Sequence, residues 1–188
     1  NDIKRILAYS SIAHLGYLLV AFLAGGRAAM PAVMFYMVAY TISLIGNFGV
    51  IGVLSQKEAE ADSLDLFRGL FFRQPWVAGI FTAMLLSLAG IPLTAGFVGK
   101  FYVITAGAQS NLWGLVLALV LTSGIGLFYY LRIVVTLFSR PGAADAPPAA
   151  TTPVAFSGGV VLAVATVLLV WLGSGPEPLV RLIQSIAG

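Results

Sequence analysis

Between Arg73 and Arg132 the chain carries a single charged residue, Lys100, and the apolar stretch on each side of it is long enough to cross a bilayer. Of the 188 residues only 9% are charged and 60% are hydrophobic. A soluble domain usually carries about 25% charged residues. A water-facing surface cannot be built from so few charges, so lipid is the solvent for most of the chain. A charge at membrane depth costs roughly 2.5–3.5 kcal/mol for lysine at a helix centre. A chain that keeps one usually uses it, or buries it against a partner.

Five apolar segments stand out, each near the ~20 residues that span a bilayer. They run about 6–24, 30–54, 75–108, 112–138 and 154–172. The expected fold is an all-α membrane protein of five transmembrane helices. The turn Gly25-Gly26-Arg27 separates the first two segments, and a polar stretch over 55–74 separates the second from the third. Residues 1–138 then hold four of the helices, 139–153 form an Ala/Pro-rich loop, and 154–188 hold the last helix. Residues 178–187 have the pattern of a short amphipathic helix at the interface.

The third segment is too long for one rod. Thirty-four residues would measure about 50 Å at ~1.5 Å per residue, against a hydrocarbon core of ~30 Å. Gly90-Ile91-Pro92 sits near its middle, and Gly96 and Gly99 follow. Proline removes a backbone donor and clashes with the preceding turn. The third helix is therefore expected to break at Gly90–Pro92, leaving two half-helices with an unwound centre; the alternative is a proline-kinked helix with an interfacial extension. Irregular backbone at that depth is tolerated only where protein or water surrounds it, so this span should face a bundle interior.

Charge orients the bundle. With five spans, the side on which the chain starts holds Lys4, Arg5, Lys57, Arg68, Arg73, Arg132 and Arg140, and the other side holds Arg27 and Arg181. The positive-inside rule makes the first side cytoplasmic and sends the C-terminus to the opposite face. The basic excess is thus topology information. No basic run with interleaved aromatics suggests nucleic acid. The chain has no cysteine and one histidine, so it cannot by itself hold an Fe–S cluster, a zinc site or a bis-histidine haem. No cofactor is expected in this chain. It begins at Asn1 with a hydrophobic segment almost at once and no signal-peptide pattern, as expected of a piece of a longer polypeptide.

Few polar groups are available for a path through protein. Lys100 is the first candidate. Desolvation favours a neutral amine and a nearby carboxylate favours the ammonium, so a lysine balanced between them can load and release a proton. The alternative is a lysine that snorkels to the interface or is locked in a structural pair. His14 is the second candidate, on one helical face with Ser10 and Ser11; its alternative is a neutral histidine bonded to a neighbouring helix. Lys4 is the third, beside Arg5 at the cytoplasmic mouth, where a positive-inside anchor is equally expected. Weaker candidates are Tyr9, Thr41, Ser43, Asn47, Ser87, Thr94, Tyr102, Thr122, Ser123, Tyr129 and Tyr130. No Asp or Glu lies within any expected span, so a carboxylate partner for Lys100 has to come from elsewhere. The acidic cluster over 58–65 is most simply a solvated face.

Two stretches resemble a known family. Residues 2–17, DIKRILAYSSIAHLGY, and residues 87–102, SLAGIPLTAGFVGKFY, are similar to signature segments of the antiporter-like membrane subunits of respiratory complex I, NADH:quinone oxidoreductase. The pairing of SLAGIP with GFVGK is most similar to the N-type subunits of bacteria, and Tyr129-Tyr130-Leu131-Arg132 fits the same group. The resemblance covers nearly the whole chain. It implies a fourteen-helix subunit of which this chain is the last five, partners in the other membrane-arm subunits, and a place in the bacterial inner membrane. It implies proton translocation coupled to quinone reduction, with Lys100 as the terminal proton-handling residue on the periplasmic side and Lys4 and His14 on the cytoplasmic half-path. The family's Glu–Lys pair and central lysine fall outside this chain. Subunits of multi-subunit sodium/proton antiporters and of membrane-bound hydrogenases remain open, as does a structural scaffold with Lys100 in a salt bridge.

Overall fold

A computed structural model describes residues 2–55, 63–140 and 156–187. Eight α-helices and no strand occur among the described residues. They are α1 (Ile3–Ala24), α2 (Gly26–Leu54), α3 (Leu70–Arg73), α4 (Pro75–Ala89), α5 (Ala95–Gln109), α6 (Trp113–Phe138), α7 (Phe156–Ser174) and α8 (Glu177–Ala187). Asp2 caps α1 by accepting from the Arg5 backbone N–H at 2.9 Å, which satisfies one of the orphan donors of the first turn. The α1–α2 turn uses left-handed backbone at Gly25 and Gly26.

By length and apolarity α1, α2 and α6 can each cross a membrane, and a fourth crossing is formed if α7 and α8, bent 84° from one another, count as one. α4 is apolar but shorter, and five residues separate it from α5.

α2 is the central post, packed against α1, α4, α5, α7 and α8. One core cluster lies at the end where the chain starts and joins Ile3, Leu7, Ile51, Phe81, Ile133 and Leu137. A second joins Tyr17, Ala21, Val33, Tyr36, Val103 and Leu119. The outward faces are apolar too: Leu15, Leu19 and Phe22 on α1 and Leu121, Ile125 and Phe128 on α6 are exposed. Helices apolar all round belong in lipid or inside larger protein.

The polar stretch expected over 55–74 is only partly a loop. Residues 56–62, with Lys57, Glu58, Glu60 and Asp62, lie outside the described residues, as does the Ala/Pro-rich loop from residue 141 onward. From Ser63 the chain folds back as a 3-10 turn (Leu64–Phe67) followed by α3. Leu64, Phe67 and Leu70 are buried in the first core cluster, and the Arg73 guanidinium donates to the Leu66 carbonyl at 2.7 Å. Asp65 stays exposed. The segment is a lid on that end of the bundle because every third residue is apolar.

Candidate functional site

The site is built around the interruption between α4 and α5. Gly90 adopts left-handed backbone at φ 83°, a conformation open to glycine at no steric cost. That turn lets the Gly90 N–H reach the Leu86 and Ser87 carbonyls and the Ile91 N–H reach the Leu86 carbonyl, all at 3.0 Å. This is a Schellman closure. Of the four carbonyls that a helix end leaves without partners, it satisfies two and leaves those of Leu88 and Ala89.

Lys100 takes both. One turn and a half into α5, its Nζ donates to the Leu88 carbonyl at 2.8 Å and the Ala89 carbonyl at 2.9 Å. A third bond goes to Ser123 Oγ on α6 at 2.7 Å. The three protons of the ammonium are therefore all used, and the cation sits at the negative end of the α4 dipole. The Tyr17 ring lies beneath it, 5.4 Å from Nζ to centroid. Lys100 is 7% exposed, and no carboxylate among the described residues contacts it. It neither snorkels nor forms an ion pair there; the described ion pairs, Arg5–Asp2, Arg68–Asp65 and Arg181–Glu177, are exposed.

Close approach of the two half-helices makes this reach possible. A Cβ on Gly96 would run into the Ser87 carbonyl, and the Gly96 N–H donates to Ser87 Oγ at 3.1 Å. Ser87 Oγ also bonds Ser43 Oγ of α2 at 2.9 Å.

His14 is held between two phenols. Nδ1 pairs with the Tyr36 hydroxyl at 2.7 Å and Nε2 with the Tyr130 hydroxyl at 3.0 Å. The ring stacks on Tyr40 at 4.8 Å between centroids. In the neutral tautomers one nitrogen accepts and the other donates, so both phenols are satisfied in either form. Of the sequence candidates, the structure brings Lys100, His14, Tyr9, Thr122, Ser123, Tyr129 and Tyr130 to one cavity of about 390 Å³ between α1 and α6. A second space of about 10 Å³ touches His14, Ser43, Ser87 and Lys100, close to the ~10–15 Å³ one water needs. Lys4 is half-buried in the first turn of α1 and does not line either space. Thr41 is exposed. Asn47 is fully buried, its Nδ2 donating to the Ser43 carbonyl while Oδ1 has no partner among the described residues.

Tyr36 and Tyr17 were not singled out by the sequence reading. The signal was present in α2: Tyr36, Tyr40, Ser43 and Asn47 recur at helical spacing and form one polar stripe on an apolar helix.

The family described as NADH:quinone oxidoreductase/Mrp antiporter, TM, matches residues 1–126. A relative from Ectopseudomonas mendocina, NADH-quinone oxidoreductase subunit N, is 48% identical over all of this chain and 38% of its own length. A chain of respiratory complex I from Thermus thermophilus superposes with a TM-score of 0.83 at 32% identity, over 96% of this chain and 40% of that one. A chain of the Mrp complex from a Dietzia species shares the fold, with a TM-score of 0.81 at 21% identity over 96% of this chain and 41% of that one. The chain thus spans about two fifths of the length of the proteins it matches. The family match takes in α1, α2, the interruption between α4 and α5, Lys100 within α5 and the part of α6 that supplies Ser123, and the chain belongs to the NADH:quinone oxidoreductase/Mrp antiporter transmembrane family.

Proposed function

We propose that this chain is part of a proton-translocating membrane subunit of an NADH:quinone oxidoreductase, with Lys100 as a proton-handling group. One observation carries the reading. Lys100 is a buried cation whose described partners are all neutral, and it joins a helix break to a cavity whose largely apolar wall carries the hydroxyl residues Thr122, Ser123, Tyr129 and Tyr130. A lysine locked in a structural salt bridge would face a carboxylate. Here the charge is stabilised by two carbonyl dipoles, the Ser123 hydroxyl and the Tyr17 ring, and it can be lost without stranding a buried anion.

On this reading the chain makes five crossings: α1, α2, the pair α4–α5 as two halves of one span, α6 and α7. α8 lies along the interface, which its 84° bend from α7 supports. The start of the chain is on the cytoplasmic side of a bacterial inner membrane and the C-terminus is periplasmic. Lys4 gathers protons at the cytoplasmic mouth, His14 passes them between Tyr130 and Tyr36, and Lys100 is the last loaded site before release. Redox chemistry belongs to other subunits of the assembly, and this chain has no cofactor of its own. Its partners are the neighbouring membrane-arm subunits and lipid.

Lys100→Ala in the assembled enzyme should lower proton pumping and coupled quinone reductase activity while assembly is retained. Normal pumping in that variant removes Lys100 from the mechanism. The family also takes in Mrp antiporters, which favours one rival, a sodium/proton antiporter subunit. Sodium-dependent proton transport in vesicles without NADH would decide for that rival.

A further inference from the structure

We infer that the Ser123 hydroxyl is the group through which Lys100 exchanges its proton with the α1/α6 cavity. This rests on the proton-handling reading of Lys100 and adds to it the identity of the exchange partner.

The three acceptors around Nζ are not equivalent. The Leu88 and Ala89 carbonyls, at 2.8 and 2.9 Å, are backbone oxygens that accept and cannot donate. Ser123 Oγ, at 2.7 Å, both accepts and donates. Charged Lys100 uses all three as acceptors. A neutral amine has two N–H donors and one lone pair, which matches two carbonyls and one hydroxyl turned to donate. The same cage therefore satisfies both protonation states, and only Ser123 changes its role.

The step balances. One N–H bond of the ammonium breaks as its proton joins Ser123 Oγ. The hydrogen that Ser123 already carried leaves its oxygen for a water in the cavity. The transferred proton now lies on Oγ and points back at the amine lone pair, while the two remaining N–H bonds keep the Leu88 and Ala89 carbonyls. Nothing else in the cage moves. Reloading is the reverse sequence.

Position supports the same assignment. Ser123 is half-buried on α6 and lines the cavity of about 390 Å³ together with Thr122, Tyr129 and Tyr130. The Tyr17 and Thr122 side chains line the same cavity, so the hydroxyl that meets Lys100 on one side faces a space with further hydroxyls on the other. The Tyr17 ring covers a further side of the amine, and α4 backbone closes another.

The test compares Ser123→Val with Ser123→Thr in the assembled complex, since the two replacements have one shape and differ by a hydroxyl. The rate of proton translocation should fall about a hundredfold or more in the valine variant, the low end of the range for a lost proton-transfer group, and stay near wild type in the threonine variant. Ser123→Ala should resemble valine, and it serves if valine prevents assembly. Wild-type translocation with valine or alanine overturns the inference, as does an equal loss with threonine, which would mark Ser123 as packing. Lys100→Ala is measured alongside. If that variant translocates normally, the reading of Lys100 itself has failed; if it is impaired while Ser123→Val is not, only the exchange partner is wrong.

Discussion

Replacing Lys100 with methionine separates its structural worth from its functional one. The variant keeps an unbranched side chain one atom shorter and removes the charge and three hydrogen bonds. Two of these leave the buried Leu88 and Ala89 carbonyls without partners, at about 1–3 kcal/mol each, or about 2–6 kcal/mol together. Against that, burial of the ammonium no longer has to be met, a relief of roughly 2.5–3.5 kcal/mol on insertion scales. The difference lies between about −1.5 and +3.5 kcal/mol, centred near 1 kcal/mol. A loss of 1 kcal/mol corresponds to about 2–4 °C in melting temperature for a domain of this size. Thermal unfolding of the purified assembly in detergent, with native electrophoresis for subunit content, measures it. The expected result is intact assembly and a shift of a few degrees. Failure to assemble, or a loss above about 5 kcal/mol, would put Lys100 among residues whose breakage strands a buried charge and would refute the carbonyl account.

The junction itself gives a second expectation. Gly96→Ala sets a Cβ against the Ser87 carbonyl, so overpacking should cost about 1–3 kcal/mol, whereas Gly79→Ala in α4 meets nothing within 4 Å and should stabilise by about 0.5–1 kcal/mol. Thermal unfolding of the two variants compares the signs, and equal shifts would contradict the close packing of α4 and α5. A third concerns topology. The chain has no cysteine, so single cysteines report cleanly: Ser185→Cys should react with an impermeant thiol reagent from the periplasm and Asp65→Cys only from the cytoplasm. Labelling of both from one side would contradict an odd number of crossings between them.

Much of the fold was legible because glycine and proline act locally. Gly90 and Pro92 marked the place where α4 ends, and the spacing of apolar residues after Pro178 marked α8. The lid over 63–73 was missed because three buried apolar residues in a charged neighbourhood look like a loop until the bundle end they cover is known. At the site, Lys100 and His14 stood out as rare polar residues in apolar helices. Of their partners, Ser123 and Tyr130 appeared only among the weaker candidates and Tyr36 not at all, for a physical reason. Tyr36 and Tyr130 lie 22 and 116 residues from His14, and two of the three groups that hold Lys100 are backbone carbonyls, present at every residue and visible only once a helix end leaves them unpaired. Lys4 was selected by its place beside Arg5 at the start of the first span, and the structure sets it apart from the cavity that joins the other two.

Proton translocation by Lys100→Arg in sealed vesicles bears most directly on whether the amine trades protons or merely supplies charge. Arginine keeps the positive charge and the donors but does not deprotonate in proteins. Translocation should be lost while the assembled complex and its subunit content are retained. Translocation at the wild-type level would mean that a fixed charge is enough, and Lys100 would then be no carrier of protons.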